Sequence, residues 1–377
     1  MFLLTLSTVS ADKGMFSYIS LYEPGQKAII AWDGENEVLI LATDVYASEN
    51  SWALEVLPLP SEPTVTKGER GSFENASSLI NSHVNSVRNQ NEFKRSLVNL
   101  AMLLTVIIAG LCVSMIAIYR MKVPDWLILL LWIIGVFLGF LLLSTYVGGM
   151  YVGAPQGVEI VFHENIGAHN ITVVMSDNAK ELVDWAENYL DNQGIAYNLS
   201  STKMENLTTR YIENGINYFV FDLIDLGQSW KSVDPIVYKF KSDTLYYPLE
   251  ISSAASGTTQ ITIIAITESG LEKQQIESAG ISIESARGIS LEFDVGREKL
   301  ERLGPEVAEL FDGSARLTTL TYNGPLANLS GDLKVSVTGA PLGIEVDISH
   351  IIFLAAVVCV WAIIIGVTYH TLRSSEQ

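Results

Sequence analysis

Three stretches of this chain carry no charged side chain over the length of a bilayer crossing: Leu97–Tyr119, Trp126–Val147 and Ile351–Tyr369. At a rise of about 1.5 Å per residue, about 20 residues cover a ~30 Å hydrocarbon core, so each stretch predicts a transmembrane helix. Trp126, Tyr146, Tyr151 and Tyr369 fall at the ends of these runs, where amphipathic rings favour the membrane interface. Only Arg120 to Asp125, with Pro124 in the turn, separate the first two runs. They therefore read as a helical hairpin, and the third run reads as a C-terminal anchor. The runs contain no Asp, Glu, Lys, Arg or His, groups that ion pathways and proton relays use despite their insertion cost. Transport by this chain alone is not expected. Gly110-x-x-x-Ser114 and Gly135-x-x-x-Gly139 place small residues one turn apart, where helix backbones approach closely. That spacing predicts packing against another membrane protein or a second copy of the chain, within the lipid bilayer.

The net charge of −19 is unevenly spread. Residues 12–96 hold 12 acidic and 7 basic side chains, and residues 149–349 hold 28 and 13. Such acidity disfavours nucleic acid as a partner, because binding there works through basic groups that displace counterions. Arg120, Lys122 and Arg373 lie on one membrane face, which the positive-inside rule makes cytoplasmic. Met1–Ala11 has a short apolar stretch and ends Val9-Ser10-Ala11; it reads as a signal-like segment or as a first β-strand. Asn-x-Ser/Thr sequons at Asn75, Asn170, Asn198, Asn206 and Asn328 fall outside the apolar runs and are the candidate glycosylation sites. The expected plan is a signal-like segment 1–11, an exterior β segment 12–96 and a hairpin 97–148. An exterior α+β segment 149–349, forming one fold with 12–96, and an anchor with a cytoplasmic tail 350–377 follow. Such a plan predicts a multi-pass plasma-membrane protein with its large domain outside. Both cysteines, Cys112 and Cys359, sit inside apolar runs, so no disulfide framework holds the exterior parts.

The exterior reads as α+β, rich in strands, with a few short helices. Lys27–Trp32 and Glu37–Tyr46 flank Asp33-Gly34-Glu35-Asn36, a hairpin signal. Val158–Phe162, Ile171–Met175, Tyr218–Ile224, Ile236–Phe240, Leu245–Ile251, Ile261–Thr267, Leu317–Tyr322 and Leu333–Val337 read as strands. A helix opens near Ser176-Asp177-Asn178 with Leu182, Trp185, Ala186 and Tyr189 on one face and stops at Gly194. Thr202-Lys203-Met204-Glu205 opens a second, and a helix broken by Gly304-Pro305 spans Glu298–Phe311.

Several of these residues carry a likeness. Tyr22-Glu23-Pro24-Gly25-Gln26-Lys27-Ala28-Ile29-Ile30-Ala31-Trp32-Asp33-Gly34 is one stretch, and Trp52 to Pro60 with Pro63 is another. Leu182 and Trp185, Tyr211-Ile212 before Tyr218-Phe219-Val220, Pro235 to Phe240, and Leu245 to Leu249 continue it. Together they resemble the domain-of-unknown-function family numbered 2330, here as a membrane-anchored, archaeal surface member. The resemblance implies that 12–96 and 149–349 are halves of one fold interrupted by the hairpin; it implies no activity.

Signs of chemistry are sparse. His163-Glu164-Asn165-Ile166-Gly167-Ala168-His169 spaces its histidines too widely for the zinc-protease helix, and a loop between strands is expected there. No Gly-x-Ser-x-Gly elbow or phosphate-cradling glycine loop is present. Asp222 and Asp225 read as a strand end and turn. No catalytic, metal or cofactor residue is assigned. The expectation is a non-enzymatic surface or accessory protein, with an exterior recognition module in a larger membrane complex. The competing expectation is an exterior enzyme acting on surface glycans or peptides.

Overall fold

In a computed structural model, residues 21–22, 26–42, 44–47, 51–69, 71–121, 169–192, 194–195, 201–226, 230–232, 235–255, 257–339, 357, 359–368 and 370 are described. The main strands of the first part are β1 Gln26–Trp32, β2 Asn36–Ala42, β3 Ser51–Leu59 and β4 Thr64–Lys67. A 51-residue helix, α1, Gly71–Met121, follows. Next come β5 His169–Met175, α2 Ala179–Asn192, α3 Ser201–Glu213, β6 Tyr218–Leu226, β7 Ile236–Lys241 and β8 Leu245–Tyr247. Then come β9 Thr258–Thr267, α4 Lys273–Ser278, β10 Ser282–Ile283, β11 Glu292–Val295, α5 Arg297–Leu300 and α6 Pro305–Glu309. The order closes with β12 Ala315–Pro325, β13 Leu333–Val335 and a short apolar helix α7, Cys359–Thr368. The chain divides into two compact units: residues 1–84 with 161–343, and residues 85–160 with 344–377.

The first unit is built on an eight-stranded sheet ordered β10-β12-β9-β1-β2-β7-β4, with β11 also paired to β12. All its pairings are antiparallel except β9 with β1, where Ile263 lies opposite Ala28 and Thr267 opposite Trp32. β1 is buried on both faces save for Lys27, as a central strand flanked by two others must be. Its period-2 alternation divides two cores. Ala28, Ile30 and Trp32 join one with Leu39 and Leu41, and Ile29 and Ala31 join the other with Val38 and Ile40.

The hairpin between β1 and β2 forms at the expected residues. Asp33 Oδ1 accepts from the backbone N–H of Glu35 at 2.8 Å and of Asn36 at 2.7 Å, while Gly34 takes a φ of 106° that side chains resist. The first core is covered by a second antiparallel sheet, β3-β6-β5, with α2 and α3 packed on it. Trp185 of α2 meets Phe221 edge-on at 5.0 Å, and Tyr211 of α3 meets Phe219 at 6.5 Å. The second core is closed by Phe73, Ala76, Leu79 and Ile80 of α1 with Leu300, Leu303, Val307 and Phe311 of the broken α5–α6 helix.

The α+β expectation therefore holds, and two of its details need correction. Residues 71–96 are helix, not part of a β segment. Their apolar positions Phe73, Ala76, Ile80, Val84 and Val87 are spaced by three and four, the helical period, but the polar run between masks the pattern. Of the three predicted spans, one helix among the described residues, α1, is long and apolar enough to cross a membrane, by length and composition. The Trp126–Val147 run, with Gly135 and Gly139, lies outside the described residues, as do 1–11 and Asn198. The last run is described only in part, and its described residues Cys359–Thr368 are helical and apolar.

Candidate functional site

Unit 2 distributes polarity in the reverse of a soluble core. On α1, Leu97, Leu100, Met102, Leu104, Val106, Leu111, Val113 and Met115 are exposed, Val106 to 69%. On α7, Val360, Ile363, Ile365 and Val367 are exposed, Ile363 to 64%. The covered positions include the polar ones. Ala101 is buried and Thr105, Ile108 and Cys112 are half-buried on α1, spaced by four, three and four. Trp361 and Ile364 are half-buried and Thr368 is buried on α7. Trp361 Nε1–H donates to Thr105 Oγ1 at 2.7 Å, and that hydroxyl donates to Ala101 O at 2.8 Å. Gly110 and Ser114, the predicted packing pair, are also half-buried. An apolar exterior around a hydrogen-bonded polar seam suits a solvent that is itself hydrocarbon, in which every polar group needs an internal partner.

Four carboxyl groups of unit 1, wholly or partly buried, fall into three separate settings. Glu37, the second residue of β2, is fully buried; its Oε2 accepts from the backbone N–H of Tyr246 at 2.7 Å, and its Oε1 accepts from no described residue. Burial drives its acidity well below that of an ordinary carboxyl, and the single backbone donor only partly opposes this. Asp332 is a junction. Its Oδ1 accepts from Tyr211 Oη at 2.8 Å and from Glu250 N at 3.0 Å, and its Oδ2 accepts from Tyr246 Oη at 3.0 Å. Tyr211 Oη in turn accepts from Ile251 N at 2.8 Å. Burial raises the Asp332 pKa and the three donors pull it back. These bonds tie α3, β8, the 3-10 turn Glu250–Ala254 and the approach to β13 into one knot.

The third setting has the most chemical character. Asp222 lies in the interior of β6, directly opposite Glu55 on β3 and Ile171 on β5. Directly opposed side chains share a face, so Glu55 and Asp222 form a buried acidic pair. Tyr238 of β7 faces them: burial pushes its hydroxyl well above the usual tyrosine range, and the two carboxylates push further. His169 of β5, one diagonal step away, places Nδ1 2.6 Å from Asp222 Oδ2, with side chains 11% and 3% exposed. An Asp that accepts from Nδ1 places the imidazole proton on that nitrogen and fixes the ring's orientation. Asp222 Oδ1 accepts from no described residue.

This arrangement corrects the reading of Asp222 and Asp225 as a strand end and turn. Both lie within β6, because β3 pairs along its whole length and β5 along Tyr218–Ile224, and this pairing overrides the turn preference of Asp. His169 stands in a strand rather than a loop, and His163 lies outside the described residues. Among the described residues no group of three or more His, Cys, Asp or Glu side chains is placed to hold a metal ion. The sequence missed the His169–Asp222 pair; its only trace was a polar residue at an inward position of each apolar strand.

The sequons differ in accessibility. Asn170, Asn206 and Asn328 are exposed, on β5, on α3 and on a 3-10 turn. Asn75 is half-buried in the first turns of α1, and its amide donates to Arg302 O at 2.6 Å.

Residues 145–332 match the model of the family DUF2330, described as "Uncharacterized protein conserved in bacteria". It is the family the sequence resembles, although the match begins after the Tyr22–Pro63 stretches. The description is bacterial, and this corrects the archaeal expectation. No curated protein matches the chain. Among solved structures, the crystal structure of baculovirus P35 aligns over 74% of this chain and 76% of that one, at 7% identity and a TM-score of 0.36. A likeness that slight carries no argument.

Proposed function

We propose that this chain is a non-enzymatic, membrane-anchored accessory protein whose acidic α+β unit serves as an exterior recognition or structural module. The observation that carries the reading is the inverted polarity of unit 2, with exposed aliphatic side chains around the Trp361–Thr105 hydrogen bond. Water would charge heavily for that apolar surface, at about 25 cal/mol per Å², whereas lipid does not. Two of the carboxyl groups in the interior of unit 1, Glu37 and Asp332, are taken up by backbone and tyrosine donors that tie strands together. Gly110 and Ser114, half-buried on α1, offer close helix packing to a partner in the same bilayer.

Membrane fractionation tests the reading. The full chain should stay with membranes through alkaline carbonate and leave only with detergent, and mild-detergent pull-down should recover the same stoichiometric membrane partner or a second copy. Release by carbonate removes the anchor. For orientation, a cysteine at Lys122 should resist an impermeant thiol reagent in intact cells while one at exposed Lys273 reacts. The reverse pattern turns the domain inward. Glycopeptide analysis at Asn206 and Asn328 examines the same point independently.

One observation favours the second reading, an exterior enzyme acting on glycans or peptides. The His169–Asp222 bond orients an imidazole as a general base requires. If that reading holds, Asp222→Asn should abolish turnover of a surface substrate by about 100-fold or more while the fold survives. Accessory function should be indifferent to the change.

A further inference from the structure

The second core stops short of one end of the main sheet. On the face that buries Ile29 and Ile264, the next row outward is polar across four adjacent strands. Lys27 of β1 stands opposite Thr262 of β9, Thr262 opposite Thr321 of β12, and Thr321 opposite Ser282 of β10. Directly opposed residues share a face, and so do residues two apart along a strand. Gln260 and Asn323, opposed to each other and two positions from Thr262 and Thr321, therefore extend the same surface. Lys27, Ser282, Gln260 and Asn323 are exposed, and Thr262 and Thr321 are half-buried.

These side chains are not occupied with one another. The Ser282 hydroxyl donates to Thr321 O at 3.4 Å; among the described residues, the side chains of the other five have no hydrogen-bond or ion-pair partner. Thr319, one row inward on the same face, is 1% exposed, and its hydroxyl also lacks a partner. Lys27 is the only charged residue in the two rows, on a chain that carries −19. Glu284, whose N–H donates to Thr319 O at 2.8 Å, lies at the β10 end, three strands from β1.

Such a surface is selective by its chemistry. A polyanion is repelled by the charge of the rest of the chain. An apolar partner would strip water from six polar side chains and return no hydrogen bond. Hydroxyl and amide groups donate and accept alike, and a ligand dense in neutral hydroxyls answers both. Strands lie about 4.8 Å apart, close to the interval at which rings follow one another in an extended β-linked polysaccharide.

We propose that the row from Lys27 to Ser282, with Gln260 and Asn323, binds a neutral, extended polysaccharide lying across the strands. The proposal rests on the reading of unit 1 as an exterior recognition module and adds the ligand class. Each hydrogen bond gained is worth about two- to tenfold in affinity. A single sugar therefore binds weakly, and affinity climbs with chain length until the row of about 14 Å is covered.

The test uses the full chain in phospholipid nanodiscs, which bring no sugar detergent. Saturation-transfer NMR titrates neutral β-linked hexasaccharides of glucose, mannose, xylose and N-acetylglucosamine, with hexagalacturonate as the charged comparison. The expected result is binding of at least one neutral hexasaccharide, tighter than its disaccharide and tighter than hexagalacturonate. Gln260→Ala with Asn323→Ala, and separately Thr262→Val with Thr321→Val, should each weaken that binding about tenfold and leave the thermal melt unchanged. Failure of every neutral hexasaccharide to bind, or binding that either double variant keeps, overturns the proposal. Hexagalacturonate bound as tightly as the neutral chains makes the site a charge contact through Lys27 and overturns it too. Carbonate extraction of the same protein separates the two readings: membrane retention without saccharide binding discards the ligand class alone, and loss of retention discards the anchor.

Discussion

Trp361 gives its indole N–H to Thr105 Oγ1 at 2.7 Å, joining two helices 256 positions apart in sequence. The Thr105 hydroxyl satisfies its own proton on Ala101 O in the preceding turn, so both polar groups of the seam are paired. Interhelical bonds of this kind average about 0.6 kcal/mol in lipid and reach about 1.7 kcal/mol. Thr105→Val and Trp361→Phe should each weaken the seam by about that range, and the double variant should be scarcely worse than either alone. Equilibrium unfolding in mixed micelles measures this, and strictly additive losses would show that the bond is not the link.

Glu37→Gln should change the pH dependence of unit 1. The folded state holds the Glu37 proton at a pH where the unfolded chain has lost it, because burial lifts its pKa. Its contribution is therefore complete below the ordinary carboxyl range and declines as pH rises from there towards the folded pKa. Glutamine keeps an oxygen for the Tyr246 N–H and has no proton to lose. Thermal melts should show the variant gaining on the parent from mildly acidic pH upward, with a flatter profile. A profile that stays parallel to the parent's would refute a neutral buried Glu37.

Removing the Asp332 carboxylate leaves Tyr211 Oη, Tyr246 Oη and the Glu250 N–H without their common acceptor. Buried donors abandoned in this way cost about 1–3 kcal/mol each, reduced where water can enter. Asp332→Ala should destabilise unit 1 by about 3 kcal/mol, and Tyr211→Phe, which removes one donor and the acceptor of Ile251 N, by about 1–2 kcal/mol. Urea denaturation followed by tyrosine absorbance gives both numbers. Indifference of the melt to Asp332→Ala would dismiss the knot.

Ala76, buried on the core-facing side of α1, tests how the start of that helix is held. Ala76→Glu places an unpaired charge in the second core among Ile29, Val38 and Leu317, a change that strongly destabilises. Proteolysis should then cut within residues 258–325 far faster than in the parent. Were residues 71–84 an exposed stalk, the substitution would be silent.

Much of the fold could be read from local pattern. The Asp33-Gly34-Glu35-Asn36 turn, the apolar face Leu182–Trp185–Ala186–Tyr189 and the Gly304-Pro305 break each act over a few residues, and each appears where the sequence places it. What escaped reading depends on distant partners. Nothing around Gln26–Trp32 announces that its second neighbour is Thr258–Thr267, in parallel. The first turns of α1 went unseen because their apolar contacts are few and the polar helix beyond them has none. The candidate site escaped for the same reason: Glu55, Asp222 and His169 are brought together only by the register of β3, β6 and β5, and Tyr238 faces them from β7 of the other sheet.

The parallel pairing of β1 with β9 also sets a timetable for biosynthesis. β1 and β2 leave the ribosome as an apolar hairpin, and the strand that must lie beside β1 begins only at Thr258. At about 5–20 residues per second, the hairpin waits roughly ten to fifty seconds for its neighbour. During that interval the apolar segment of α1 emerges, and the hairpin's outer edge stays open to any extended chain nearby. A holding chaperone at the site of synthesis would find its client here, in residues 26–42, and its release would coincide with the arrival of Thr258–Thr267.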